Sequence, residues 1–309
     1  MPVYDYATRF EQILAQKYAA ASKSDALFNS NQAVTFLSAQ TIKLPRLTVS
    51  GYKDHNRGAI GFNTGSVVND WEPKKLAFDR DIEFAIDPMD IDETNLALAV
   101  ANIQNVFEDE QAIPERDAYA FSKLYAEYVD PTIGGGTAST DSITAANFLE
   151  KFDADMAAMD DAGVPEEGRI LYATPARMKL VKEAEGVERS ILISGPAGTV
   201  NRKVHSLDDV QLISVPAARM KTSYDFTEGF VPTQASAEGV TPVVAAARQI
   251  NSILVHPSAV VARQKYSYIK LFTPGTDSRT ADKYVYQNRR YMDLFLLARK
   301  ADGVKINIT

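Results

Sequence analysis

Between Leu76 and Asp87 the chain alternates. Apolar residues hold the even positions Leu76, Phe78, Ile82, Phe84 and Ile86, while Lys75, Asp79, Asp81, Glu83 and Asp87 hold odd ones. A period of two describes a strand with one buried face. Upstream, Ile42, Leu44, Leu47 and Val49 suit a partner strand. A long stretch containing Gly51, Gly58, Gly61 and Gly65 separates the two and reaches the lone tryptophan, Trp71. A structureless loop of that length is unusual inside a compact domain. A long two-stranded arm projecting from the body accounts for it better. An isolated hairpin is marginal in water, so the arm is expected to dock on something.

The period then changes to that of a helix. Leu96, Val100, Ile103 and Phe107 fall on one face, and Ala118, Phe121, Tyr125 and Tyr128 continue it. Asp90 with Glu93 three residues later makes a capping-box-like start. Pro114 is expected to kink or restart the helix. If roughly collinear, this element spans about 55 Å at ~1.5 Å per residue, a spine rather than one layer of a sandwich. Pro131 through Gly134, Gly135, Gly136 and Thr137 read as a flexible joint and domain boundary. Another helix follows, with Ser142 as its cap, Leu149, Phe152, Met156 and Met159 as its apolar face and Gly163 as its stop.

Beyond Gly168, short apolar runs alternate with helical stretches. Ile170–Ala173, Leu212–Val215 and Ile253–Val255 each lead to a proline (Pro175, Pro216 and Pro257) that can open a helix. The first two prolines precede similar tails, Ala176-Arg177-Met178-Lys179 and Ala217-Ala218-Arg219-Met220-Lys221. From Tyr266 to Ile308 strands dominate, with a turn at Pro274-Gly275. At the other end, Tyr6, Phe10, Ile13, Leu14 and Tyr18 suggest a short amphipathic helix in an N-terminal arm. Such an arm frays unless something ties it down.

Composition narrows the chemistry. The chain has no cysteine, which removes disulfides, thiolate metal sites and cysteine nucleophiles. The three histidines, His55, His205 and His256, are far apart and lack metal-ligand spacing. Gly195-Pro196-Ala197-Gly198-Thr199 lacks the Gly-Lys-Ser/Thr ending of a phosphate loop, and no nucleophile elbow occurs. Asp87, Asp90, Asp92 and Glu93 offer oxygens suited to calcium or magnesium, but helix starts favour acids for capping alone. Asp153, Asp155, Asp160 and Asp161 read as a solvated helix face. No apolar run approaches the ~20 residues of a membrane span, and the first residues lack signal-peptide character. The expectation is a protein without cofactor or metal that is not an enzyme and does not engage a membrane.

Charge is unevenly spread. Residues 1–80 carry 10 basic and 7 acidic side chains, residues 81–170 carry 4 and 21, and residues 171–309 carry 19 and 12. Solvated acidic faces explain this, and so does complementarity between copies, which steers association and register. With a net charge of −7 the protein is a poor general DNA binder.

Three stretches carry a resemblance to a known family. They are Phe78-Asp79-Arg80-Asp81-Ile82-Glu83-Phe84 running into Asp87-Pro88-Met89-Asp90-Ile91-Asp92-Glu93-Thr94-Asn95, Gln111 through Tyr119 with Ser122-Lys123-Leu124, and Ile253 through Ala259. With the order arm, long loop, spine helix, α/β domain and return strands, the chain resembles the tailed-bacteriophage major capsid proteins. The resemblance implies an α+β, Hong Kong 97-type phage capsid fold with N-terminal arm, extended β-hairpin loop, long spine helix and α/β axial domain. It implies an arm over 1–44, an extended loop over 45–89, a peripheral domain with the spine helix over 90–142, an axial domain over 143–284 and peripheral return strands over 285–309.

The resemblance also implies a role. Hexamers and pentamers would form an icosahedral shell around packaged double-stranded DNA, bound without sequence specificity, in a virion capsid assembled in the bacterial host cytoplasm. Lys53, Arg57 and Trp71 would be inter-subunit docking residues, the basic loop (with Lys43 and Arg46) lying over the acidic spine of a neighbour. A separate scaffolding protein and a portal are further expected partners. Some members weld subunits through a lysine–asparagine bond aided by a glutamate near the C-terminal strands. Here no glutamate follows Glu238, so no such weld is expected, and a boiled denaturing gel should show no ladder. The alternatives are an encapsulin-type compartment shell and an α/β enzyme using 143–284, for which no nucleophile–base pair, metal set or phosphate loop is present.

Overall fold

The structure is a computed structural model. It describes residues 21–28, 41–55, 61–93, 100–184, 204–227, 247–275 and 282–309. In chain order the elements are a helical turn α1 (Asp25–Phe28), β1 (Thr41–Val49), β2 (Val67–Lys75), β3 (Phe78–Ile86), α2 (Pro88–Glu93), α3 (Val100–Phe107) and, after a π-helical turn at Glu108–Ala112, α4 (Ile113–Val129). Then come α5 (Phe148–Asp161), β4 (Ile170–Ala173), α6 (Pro175–Glu183), β5 (Ser206–Leu207), β6 (Val210–Ser214), β7 (Ile250–Val255), β8 (Val260–Phe272), β9 (Tyr284–Leu296) and β10 (Val304–Ile308). The expected N-terminal amphipathic helix and the Gly195–Thr199 loop lie outside the described residues. The chain forms two compact units, Gln32–Phe78 and the remainder.

The smaller unit holds an antiparallel ribbon. β1 pairs with β2 in unbroken register, from Thr41 opposite Lys75 to Val49 opposite Val67. Both strands contain a proline, Pro45 opposite Trp71 and Pro73 opposite Lys43. A proline cannot donate to a ladder and is tolerated at sheet edges, and each strand of a two-stranded ribbon is an edge.

In the larger unit, β3, β9 and β8 form a three-stranded sheet in that order. Asp79, Asp81 and Glu83 of β3 are exposed, Ile82 and Phe84 are half-buried and Ile86 is buried, the face assignment read from the alternation. Phe84 meets Phe107 of α3 edge-on and stacks on Tyr286 of β9. That face therefore turns toward the spine.

The spine is α3, the π turn and α4, running from Val100 to Val129. At Pro114 the helix passes through a π turn and resumes as α4. A proline inside an α-helix removes one N–H bond and drives its ring into the carbonyl four residues back. Here Ile113 N–H bonds the Glu108 carbonyl, five residues back, and the flanking Phe107 and Ile113 keep right-handed helical angles. The widened turn makes room for the ring while the helix continues. The expected start also shifts: α2 opens at Pro88, with the Asp87 carboxylate accepting from Met89 N–H at 3.0 Å. Asp87, rather than Asp90, is thus the cap.

The five-stranded sheet runs β10-β7-β4-β6-β5, with β4 and β6 parallel and β4 and β7 antiparallel. Every residue of β4 is buried. Ile170 and Tyr172, with Ile253 and Val255 of β7, face one core with Phe121, Leu124 and Tyr128 of α4. Leu171, Leu212 and Leu254 face a second core with Phe148, Phe152 and Met159 of α5. A sheet covered on both faces reads as continuous apolar runs, which is why these strands lack alternation. Pro175 opens α6, whose cap Thr174 accepts from Arg177 N–H, while Pro216 and Pro257 each lead into a short 3-10 turn.

Sheet membership crosses the division expected near residue 284. β8 lies with β9 and β3, whereas β10 joins the five-stranded sheet through β7. The expected cap at Ser142 is also displaced. α5 starts at Phe148 after Asn147, whose side-chain oxygen accepts from Thr144 N–H and whose amide donates to the Ser142 carbonyl. Gly163 stops α5 as expected, at φ +72°.

Candidate assembly surfaces

The ribbon shows what a buried strand pair would hide. Leu47, Val49, Val67 (70% exposed), Val68 and Trp71 (48%) face solvent along it, and Tyr52 and Phe62 are fully exposed at its tip. A soluble monomer rarely displays so many clustered large apolar side chains, and such patches mark interaction sites. The tip loops are nonetheless organised. Asn63 donates its amide to the carbonyl oxygens of Asp54 (2.8 Å) and Lys53 (3.3 Å), and Ser50 Oγ accepts from Ser66 N–H at 2.9 Å. Ser50, Lys53 and Asn63, together with Tyr52, His55 and Phe62, line an open pocket of about 720 Å³.

Two of the three expected docking residues are therefore on this ribbon and its tip: Lys53, exposed in the tip, and Trp71, exposed on β2. Arg57 lies outside the described residues, as do the side chains of Lys43 and Arg46.

A second apolar surface was not marked by sequence motifs. No strand pairs with the outer edge of β8 among the described residues. On this edge Ile269 and Leu271 are each 48% exposed, and Tyr266 is 46% exposed. Register places Ile269 opposite Asn288 and Leu271 opposite Tyr286, on the spine side of the sheet. On the other side Tyr266 and Tyr268 stack at 6.4 Å, and Lys270 lies over the Phe272 ring at 4.5 Å. Unpaired apolar edges recruit other strands. The sequence signal available was the aromatic and aliphatic richness of Tyr266–Phe272, interrupted by Ser267 and Lys270, which says strand without saying edge.

The same sheet carries a charged outer face. Arg289 of β9 grips Asp79 through Nε (3.0 Å) and Nη2 (2.5 Å), and Gln287 donates to Glu83 at 2.6 Å. The hydrogen bonds from Arg289 hold the Asp79 carboxyl below its ordinary range. On the spine side, Glu108 in the π turn accepts from Asn288 (2.9 Å) and Arg290 (2.5 Å). Arg80 pairs with Glu115 at 2.7 Å, where burial nevertheless pushes the Glu115 carboxyl up.

The N-terminal arm meets its own chain. Asp117 of α4 is fully buried and accepts from Lys23 N–H (3.1 Å), Ser24 N–H (3.1 Å), Ser24 Oγ (2.7 Å) and Arg219 Nη1 (3.1 Å). Arg219 also donates to the Ala21 carbonyl, and Arg116 bonds Ser22 and Asp25. The segment around α1 is thereby fixed to α4 and to the 3-10 turn at Ala217–Arg219.

The remaining candidates have structural partners. Asp160 pairs with the fully buried Arg169 at 2.5 Å, so it is not merely a solvated charge. Arg169 further donates to the Pro165 and Val164 carbonyls, closing the turn after α5. His256 accepts from Ser258 N–H at 3.2 Å as the cap of a 3-10 turn. Asp90 sits in α2, and the side chains of Asp92 and Glu93 lie outside the described residues. Among the described residues no three potential metal ligands converge.

No protein-family model matches the chain, and no curated protein matches it by sequence. Solved structures do match it, end to end. A Mycobacterium phage Che8 structure is similar at TM-score 0.63 and 11% identity, covering 97% of this chain and 96% of that one. The capsid structure of cyanophage P-SCSP1u reaches TM-score 0.63 at 14% identity, covering 98% and 92%. The mature capsid of bacteriophage PhiM1 reaches 0.60 at 12% identity, covering 100% and 91%. The chain thus has the phage-capsid fold that its sequence resembles, and at these identities the likeness is one of fold.

Proposed function

We propose that this chain is the major capsid protein of a tailed phage, a subunit that self-assembles into an icosahedral shell. The observation that carries the reading is the end-to-end likeness to phage capsid subunits in a chain whose ribbon leaves Val67, Trp71, Tyr52 and Phe62 in solvent. In a shell the ribbon of one subunit lies over a neighbour, and its apolar residues become buried on assembly. Burial of such surface is favourable at about 25 cal/mol per Å² before the cost of association is counted. Lys53, Arg57 and Trp71 act in that docking. The role is structural, and the enclosed DNA is held without base recognition. A scaffolding protein and a portal are the further partners of this reading, and the virion capsid is its location.

Electron microscopy of the purified protein, with its mass distribution in solution, tests this. Closed shells, or rings of five or six subunits, support the reading. A chain that stays unassembled across protein concentration and ionic strength points to a requirement for the scaffolding protein, whereas a compact globular monomer without an extended ribbon overturns the reading.

A further inference from the structure

Among the described residues, β8 offers an unpaired edge with exposed apolar side chains on both faces, and β2 offers another. The two differ in charge. Lys265 and Lys270 are the only ionisable groups other than tyrosine between residues 264 and 272, and both are basic. Within β2, Val67–Glu72 contains Asp70 and Glu72 and no base, and no proline interrupts it before Pro73. β1 instead carries Lys43 and Arg46 around Pro45, so its outer edge is basic and lacks a central donor. Complementary charge and an intact set of backbone donors therefore select β2 as the strand that fits β8.

We propose that the β8 edge receives β2 of a second copy of this chain as an antiparallel fourth strand, with Asp70 opposite Lys270. This rests on the shell reading and names the seat of the ribbon. The register follows from side-chain placement. Glu72 already holds Lys74 at 2.8 Å, whereas the Asp70 carboxylate bonds the N–H of its neighbour Trp71, leaving Asp70 for Lys270. Asp70 opposite Lys270 sets Val68 against Phe272 on the outer face. On the spine face it sets Trp71 against Ile269 and Asn69 against Leu271. A one-residue slip would send Trp71 to the charged face and Asp70 to the apolar one. A parallel arrangement through the same pair would set Glu72 against Phe272, which antiparallel pairing avoids. The exposed apolar groups of both strands are then covered by one another, and the aggregation-prone edge is closed.

The absence of cysteine makes the test clean. Two single-cysteine proteins, Asn69→Cys and Leu271→Cys, are mixed, assembled and oxidised. Directly opposed positions on antiparallel strands lie within disulfide reach, and adjacent positions point to the other face. A disulfide-linked two-chain band is expected from this mixture and not from Asn69→Cys mixed with Lys270→Cys. Lys270→Glu should cause loss of assembly, and Asp70→Lys in the same chain should restore it. Shells that form without the Asn69–Leu271 link, or that link equally through position 270, overturn the β8 seat while the shell reading stands. A compact globular monomer without an extended ribbon overturns both.

Discussion

Asp117 has no exposed surface, and its neighbours are nearly all donors: two backbone N–H groups, serine hydroxyls and the Arg219 guanidinium. An ionised carboxylate suits that set because it only accepts. Asp117→Asn would put an amide N–H₂ among donors and leave Arg219 without its counter-charge. Breaking a buried pair in this way costs roughly 3–5 kcal/mol. We expect that loss in denaturant unfolding, together with faster hydrogen exchange at residues 21–28. The two similar tails in the sequence do mark Arg177 and Arg219, and both are buried. Arg177 bonds Asn307 at 2.5 Å, while Arg219 bonds Asp117. Their partners lie about a hundred residues away or more, so no local pattern could reveal them. His256 adds a pH dependence. Burial lowers its pKa, and the nearby Arg169 and Lys300 act in the same direction. The folded protein therefore holds the ring neutral, while the unfolded chain takes up its proton near pH 6.5. Stability is kept above that pH and falls as pH drops through the folded pKa. Unfolding at graded pH should show this slope, and His256→Gln should flatten it.

At the scale of elements, the glycine run after α4 separates composition from conformation. Pro131–Gly136 reads as a flexible joint, yet it folds back on the end of the spine. Gly134 N–H bonds the Glu127 carbonyl at 3.1 Å, Gly135 N–H the Asp130 carbonyl at 2.8 Å and Gly136 N–H the Tyr128 carbonyl at 2.9 Å. A Cβ at Gly134 would press on the Tyr128 and Glu127 carbonyls, and one at Gly136 would enter the Tyr128 ring. Gly135 has φ +59°, but a Cβ there would meet only the Pro131 carbonyl oxygen at an ordinary 3.9 Å. Alanine should therefore cost about 1 kcal/mol at 135, the backbone term alone. At 134 and 136 it should cost roughly 2 kcal/mol or more, because backbone and a packed ring must move. Thermal unfolding of the three variants checks the order, and a largest loss at 135 would restore the flexible-joint reading. Period-two and helical patterns located β3 and α4 because each has one wet face, whereas the ribbon, exposed on both faces of β2, was legible from the long glycine-bearing stretch between two strand-like runs. The π turn escaped, since Pro114 announces a disturbance without saying whether the helix stops or widens. Sheet order escaped too: β4 and β7 are buried on both faces and carry no pattern that names their neighbours.

For the whole molecule, the sequence offers a charge imbalance that the fold only partly consumes. Residues 81–170 hold 21 acids against 4 bases. Several of these acids are engaged within the chain, Glu108 by Arg290, Glu115 by Arg80 and Asp160 by Arg169, so a fraction of the block is structural. Others, including Asp81 on β3 and Asp153 on α5, stay exposed. On the shell reading, the exposed acids are what the basic ribbon tip of a neighbour approaches. Charges that meet across a wet interface act over about a Debye length, near 8 Å at physiological ionic strength, and mainly steer encounter and register. Reversing Lys53 and Arg57 together to glutamate should therefore slow shell formation and raise the protein concentration it requires, leaving the fold intact. Light scattering during assembly measures both, and circular dichroism checks the fold. Added salt should slow the unmodified protein and narrow its difference from the variant, because screening removes the attraction in one and the repulsion in the other. Assembly of the double variant at an unchanged rate and concentration would mean that the ribbon docks by its apolar residues and strand edge alone, with the charge blocks serving solubility.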